Sequence, residues 1–141
     1  MSQISHLPIY NSSLFLLKDL HERVTKFSKL HKYTLGQKIT CCATEIIILI
    51  SDANNEKKSY SRISVIDKII RKTDELLVYI RIAEELKLFN NEKSYPYLIE
   101  KICEISRQGA GWKNIYLPQS QRQEMSVSEG KEMPPSAPRS I

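Results

Sequence analysis

Five consecutive residues, Ile46-Ile47-Ile48-Leu49-Ile50, constrain this chain more than any other stretch. Around them, Leu35, Ile39, Cys42, Ala43, Ile46, Leu49, Ile50 and Ala53 recur at the three-and-four spacing of one helix face. At about 100° per residue, the five-residue run wraps the whole circumference of that helix. A monomer's surface helix keeps one face polar, so the run predicts a second buried side, against another molecule. A β-strand is the competing reading, because isoleucine favours sheets. The helical period on both sides and the lack of turn residues favour the helix.

Its start is written in Tyr33-Thr34-Leu35-Gly36-Gln37-Lys38-Ile39. Thr34 and Gln37 have the T-x-x-Q form of a capping box. Gly36 costs stability in a first turn and makes sense where another backbone approaches or the entry is tight. This helix is expected over 35–54. A preceding helix is expected over about 11–30, starting at Asn11 or Ser12, with Leu14, Leu17, Leu20 or His21, Val24 and Phe27 inward.

A third helix is expected over about 61–88, with Ile66, Ile69, Ile70, Leu76, Leu77, Ile80, Ala83 and Leu86 inward. Val78, Tyr79 and Ile82 add apolar surface beyond one stripe. Its polar stripe offers the pairs Asp67–Arg71 and Arg81–Glu85, each worth about a few tenths of a kcal/mol. A fourth helix is expected over about 94–107. It begins either near Ser94, with Pro96 in its first turn, or at Asn91 with one hydrogen bond lost. Gly109 and Gly111 should end it, and Trp112 should fold back on the bundle or on a neighbour. Short polar connections between long amphipathic helices predict an all-α, antiparallel, up-down-up-down four-helix bundle over 1–117. The surplus apolar surface predicts further assembly, which a head-to-tail contact would close into a ring. Residues 118–141 hold four of the six prolines among Gln, Ser, Glu and Lys, and read as a disordered tail.

The net charge is +5, and the tail's three basic and three acidic residues cancel, so the excess lies in 1–117. A basic body favours an anionic partner. Lys26, Lys29, His31 and Lys32 cluster at one turn. Lys57, Lys58, Arg62, Lys68, Arg71 and Lys72 cluster at the next, and Arg81, Lys87, Arg107 and Lys113 follow. Tyr33, Tyr60, Tyr79, Trp112 and Tyr116 stand near them, the mixture that contacts phosphates and stacks bases. For each residue singly, a solvated and charge-paired surface is the plainer explanation.

Catalytic patterns are missing from the sequence. The four glycines (36, 109, 111, 130) make no phosphate loop, and no H-E-x-x-H or G-x-S-x-G occurs. His6, His21 and His31 are scattered, and Glu75, Glu84 and Glu85 lack a histidine at metal-site spacing. Cys41, Cys42 and Cys103 fit neither a disulfide framework nor a zinc site. They read as reduced thiols of a cytoplasmic protein. No apolar run near ~20 residues predicts a membrane span, and residues 1–6 lack the marks of a signal peptide. The expectation is a non-enzyme with no cofactor and no metal.

Four segments in order carry a resemblance: Leu7-Pro8-Ile9-Tyr10, Tyr33 to Ile39, Ile80-Arg81-Ile82-Ala83-Glu84-Glu85-Leu86-Lys87, and Gly111-Trp112-Lys113. Together they resemble the Avd proteins, the accessory variability determinants of diversity-generating retroelements. Avd proteins are related to the four-helix-bundle proteins encoded in 23S ribosomal RNA intervening sequences. The likeness spans about 7–117. It implies a pentameric barrel without enzymatic activity. It also implies binding to the retroelement's reverse transcriptase and to RNA or DNA, in support of mutagenic copying of template RNA. Arg81 and Lys87 fall in the matching segment and are the first candidates for those contacts, with Arg71, Arg107 and Lys113 next. The alternative is a bundle of the intervening-sequence type with a structural or RNA-binding role and no polymerase partner. Ala110, Pro96, Cys41-Cys42 and the tail depart from the family pattern.

Overall fold

The computed structural model describes residues 4–118, 120 and 122. These are α1 (Pro8–Thr25), the single turn α2 (Lys29–Lys32), α3 (Leu35–Asn55), α4 (Ser59–Glu85) and α5 (Ser94–Tyr116), with no strand among the described residues. α1 packs on α3 and α5, and α4 packs on the same two, so four helices enclose one core. Leu16 and Leu20 of α1, Ile39, Ile46 and Ile50 of α3, Ile66, Ile69, Leu76 and Ile80 of α4, and Leu98, Ile102 and Ile105 of α5 fill it. Each such side chain stabilises the fold by about 1.5–3 kcal/mol relative to exposure. The protein is an all-α helical bundle.

α3 spans its expected residues, but its start works differently. The Thr34 hydroxyl donates to the Leu30 carbonyl at 2.8 Å, and no side chain caps the helix. Gly36 is a close approach. A Cβ there would lie 2.6 Å from Val24 Cγ1 and 3.1 Å from the His31 carbonyl oxygen.

α1 begins at Pro8, before Asn11, because proline at the first helical position sacrifices no hydrogen bond. Its buried stripe is Ile9, Ser13, Leu16, Leu20 and Val24. Leu14 and Leu17 are only half-buried. Leu14-Phe15-Leu16-Leu17 is apolar on every side, so its own composition selects no face. The helix stops at Thr25, short of Leu30, and the turn sends Phe27 inward, edge-on to Phe89 at 6.1 Å.

α4 ends at Glu85 and not at Leu88. The Leu88 N–H donates to the Ala83 carbonyl at 3.0 Å and the Lys87 N–H to the Glu84 carbonyl at 2.9 Å. This is a Schellman ending, with Lys87 in the left-handed region at φ 58°. Leu86 is exposed there, not inward as its spacing suggested.

α5 starts at Ser94 with Pro96 in its first turn, the first of the two openings. It then runs through Gly109 and Gly111 to Tyr116, correcting the expected end near Arg107. Neither glycine has a positive φ. Gly109 is a packing residue, since a Cβ would sit 3.3 Å from Ile70 Cγ1. Trp112 stays on the helix and packs on the core. The expected tail lies almost wholly outside the described residues.

Candidate interaction surface

The seam between α4 and α5 gathers most of the candidate residues. At one end Lys113 Nζ meets Asp67 Oδ1 at 2.8 Å. This displaces the expected Asp67–Arg71 pair, because the carboxylate reaches the neighbouring helix. At the other end Leu77, Val78, Arg81 and Ile82 of α4 face Tyr95 and Ile99 of α5 across a groove of about 380 Å³. Val78 and Ile82 are 57% and 40% exposed, and Leu86, a turn further on, is 48% exposed. Positions four apart share a helix face, so the three make one continuous apolar stripe in water. A contiguous stripe of this kind is a candidate interaction surface, which apolar residues scattered singly are not.

Arg81 stands in this groove and reaches Glu85 at 3.6 Å, with both side chains about two-thirds exposed. An exposed pair is worth little, so the guanidinium is free to turn to a partner. Arg71 is exposed and lies seven positions before Val78, about 20° away around α4. Lys87 is exposed at the end of α4, where a cation suits the helix dipole. The left-handed geometry at Lys87 favours glycine by about 1 kcal/mol. Arg107 sits apart. It bonds Glu100 at 2.9 Å, and eight positions from Ile99 turn it about 80° around α5. The structure therefore brings Arg71, Arg81 and Lys113 to one seam, puts Lys87 at its end, and leaves Arg107 outside.

Two other basic residues serve the fold. The Arg62 guanidinium donates to the carbonyls of Asn54 and Glu56 at the end of α3 and to the Tyr116 hydroxyl. It also lies 4.7 Å over the Tyr116 ring. Lys72 lies between Glu45 at 2.7 Å and Glu75 at 3.1 Å, and Tyr79 donates to Glu75 at 3.0 Å. Hydrogen bonds to Glu45 and Glu75 raise the Lys72 pKa above its ordinary value. The bond from Lys72, then that from Tyr79, lowers Glu75, and the bond to Glu75 raises Tyr79. Beside them the buried Cys42 thiol donates to the Lys72 carbonyl at 3.6 Å, and burial pushes its pKa up to about 12. Cys41 is exposed, so the adjacent thiols occupy opposite environments.

A second surface escaped the sequence. Between α1 and α5, Lys101 Nζ lies 5.8 Å from the Phe15 ring centre and 5.5 Å from that of Tyr97. Arg23 lies 5.7 Å over Tyr97. Phe15 and Tyr97 are far apart in the chain, and only the packing of α1 on α5 unites them. By length and composition alone, the segment Lys29–Asn55, which spans α2 and α3, is long and apolar enough to cross a membrane, a test that the core helix of a bundle also passes. In the fold its residues Ile39, Ile46 and Ile50 face the protein core. Among the described residues, no three His, Cys, Asp or Glu side chains group as a metal site would require. No protein-family model matches the chain, and no curated protein matches it either.

Proposed function

We propose that the chain is a non-catalytic accessory protein of a diversity-generating retroelement. It acts as a cytoplasmic adaptor that holds a reverse transcriptase and nucleic acid together during mutagenic copying of template RNA. It needs no cofactor. In this reading the helices run up-down-up-down, each antiparallel to the next, and copies join head to tail into a ring, pentameric if it follows the Avd proteins. Asp67–Lys113, Cys42–Lys72 and Arg23–Ser94 support the antiparallel order, since each joins positions that such an order brings level.

The observation that carries the reading is the exposed Val78-Ile82-Leu86 stripe with Arg81 in its groove. It combines exposed apolar area with an arginine, a residue type enriched where protein partners bind most strongly. It also falls inside the segment that resembles Avd. Five chains of charge +5 would place about +25 on one particle, a field that attracts RNA and DNA strongly. Such contacts are salt-dependent and indifferent to sequence.

The test is a pull-down of a diversity-generating reverse transcriptase by the wild type and by Arg81→Glu. Retention by the wild type and loss in the variant supports the reading. A wild type that retains no polymerase overturns it and leaves the bundle of the intervening-sequence type.

A further inference from the structure

The cleft between α1 and α5 lies apart from the α4–α5 seam. It has a volume of about 480 Å³, lined by Phe15, Lys18, Asp19, Glu22, Arg23, Asn91, Lys93, Ser94 and Tyr97. We propose that it binds single-stranded nucleic acid, with bases stacked on Phe15 and Tyr97 and phosphates held by Lys18, Lys93 and Lys101. The inference rests on the nucleic-acid reading above and adds where a strand sits and which form is taken.

Three observations meet here. Phe15 is 55% exposed, while Leu16 beside it on α1 is buried. A phenyl ring left in water gains by being covered, and a nucleobase covers it with a flat face. Tyr97, on the other helix, is a second ring at the same cleft, 36% exposed. The Lys101 ammonium lies within 6 Å of both ring centres, so cation and π-faces share one surface.

The cleft carries a small positive excess, Lys18, Arg23 and Lys93 against Asp19 and Glu22, and its lysines are the groups left for phosphate. Arg23 is engaged by Asp19 at 3.1 Å and by the Ser94 hydroxyl at 2.8 Å, which fixes it as a scaffold. Lys101 has only a distant carboxylate, Glu104 at 3.9 Å. Lys18 and Lys93 make no ion pair among the described residues. The two rings require unpaired bases, because a duplex hides its base faces in the stack. Neither a ring nor an ammonium group reads the sugar, so RNA and DNA strands are bound alike.

The test is fluorescence anisotropy with labelled RNA and DNA strands of about twelve nucleotides, and with the matching duplexes. Wild type is compared with the double variant Phe15→Leu, Tyr97→Leu. Both side chains are partly exposed, so the fold persists, and helix content and particle mass are checked on the same sample. The variant should bind single strands at least about tenfold more weakly, for RNA and DNA alike. Its duplex binding should not change.

A second variant, Lys18→Gln with Lys93→Gln, leaves the rings in place. It should flatten the slope of log affinity against log salt by about 1.4, at about 0.7 per phosphate contact. Unchanged single-strand affinity in the double ring variant overturns the cleft while leaving a basic nucleic-acid-binding particle intact. A wild type that binds no strand at low salt overturns the cleft and the nucleic-acid reading together.

Discussion

Gly36 and Gly111 are both helical, and replacing each with alanine should move stability in opposite directions. A Cβ at Gly36 would lie 2.6 Å from Val24 Cγ1, roughly 1 Å inside the ordinary carbon contact distance. Val24 is buried and β-branched, with one strongly preferred helical rotamer. It cannot swing aside. The second neighbour, the His31 carbonyl at 3.1 Å, is backbone. Forcing a methyl into such a place costs about 1–3 kcal/mol. Alanine recovers at most about 1 kcal/mol of helix propensity, and less in a first turn. Gly36→Ala should therefore lose about 1–2 kcal/mol, or about 3–8 °C in Tm for a chain of this size. At Gly111 nothing lies within 4 Å of a new Cβ, so Gly111→Ala should gain about 0.5–1 kcal/mol. Thermal and urea unfolding followed by helix circular dichroism, at one protein concentration, measures both. A Gly36→Ala protein as stable as wild type would refute the packing argument at the start of α3.

Lys87→Gly should stabilise the protein by about 1 kcal/mol in urea unfolding, since glycine adopts the left-handed ending of α4 without strain. Arg62→Ala should cost about 2–3 kcal/mol in the same assay, because the end of α3 loses its charged donor and Tyr116 its partner. Iodoacetamide at pH 8 should label Cys41 quickly and Cys42 only after unfolding, as read by mass spectrometry. Cys42 also sets a pH dependence. Its folded pKa is raised to about 12 from 9.0, so its contribution is complete below pH 9 and is lost as pH rises toward 12. Wild type should lose about 1 kcal/mol more than Cys42→Ala between pH 8 and pH 10.

The helices were legible because their inward positions keep a single period. Ile39, Ile46 and Ile50 of α3 and Ile66, Ile69, Leu76 and Ile80 of α4 were named from spacing and are buried. The errors fall where local composition offers two solutions. Leu14-Phe15-Leu16-Leu17 allows two buried faces, and only contact with α3 and α5 chooses Leu16. Gly109 and Gly111 resemble a stop signal, yet Gly109 is where α5 touches Ile70.

For the candidate surfaces the division is similar. Val78 and Ile82 stood out because they exceed one stripe. The sequence could not show that Lys113 is tied to Asp67, that Arg107 is tied to Glu100, or that Arg62 closes α3. Each of these partners lies a turn or more away, or on another helix. Phe15 and Tyr97 were missed for the same reason.

The ring-forming, RNA-binding adaptor is tested most directly by light scattering of the purified protein at low and high salt, with and without a short structured RNA. The reading requires a particle of several chains, five by resemblance to Avd, that takes up RNA at low salt and releases it at high salt. A monomer indifferent to RNA at both salts contradicts it, and with it the interpretation of Ile46–Ile50 and of the Val78-Ile82-Leu86 stripe as surfaces for other molecules.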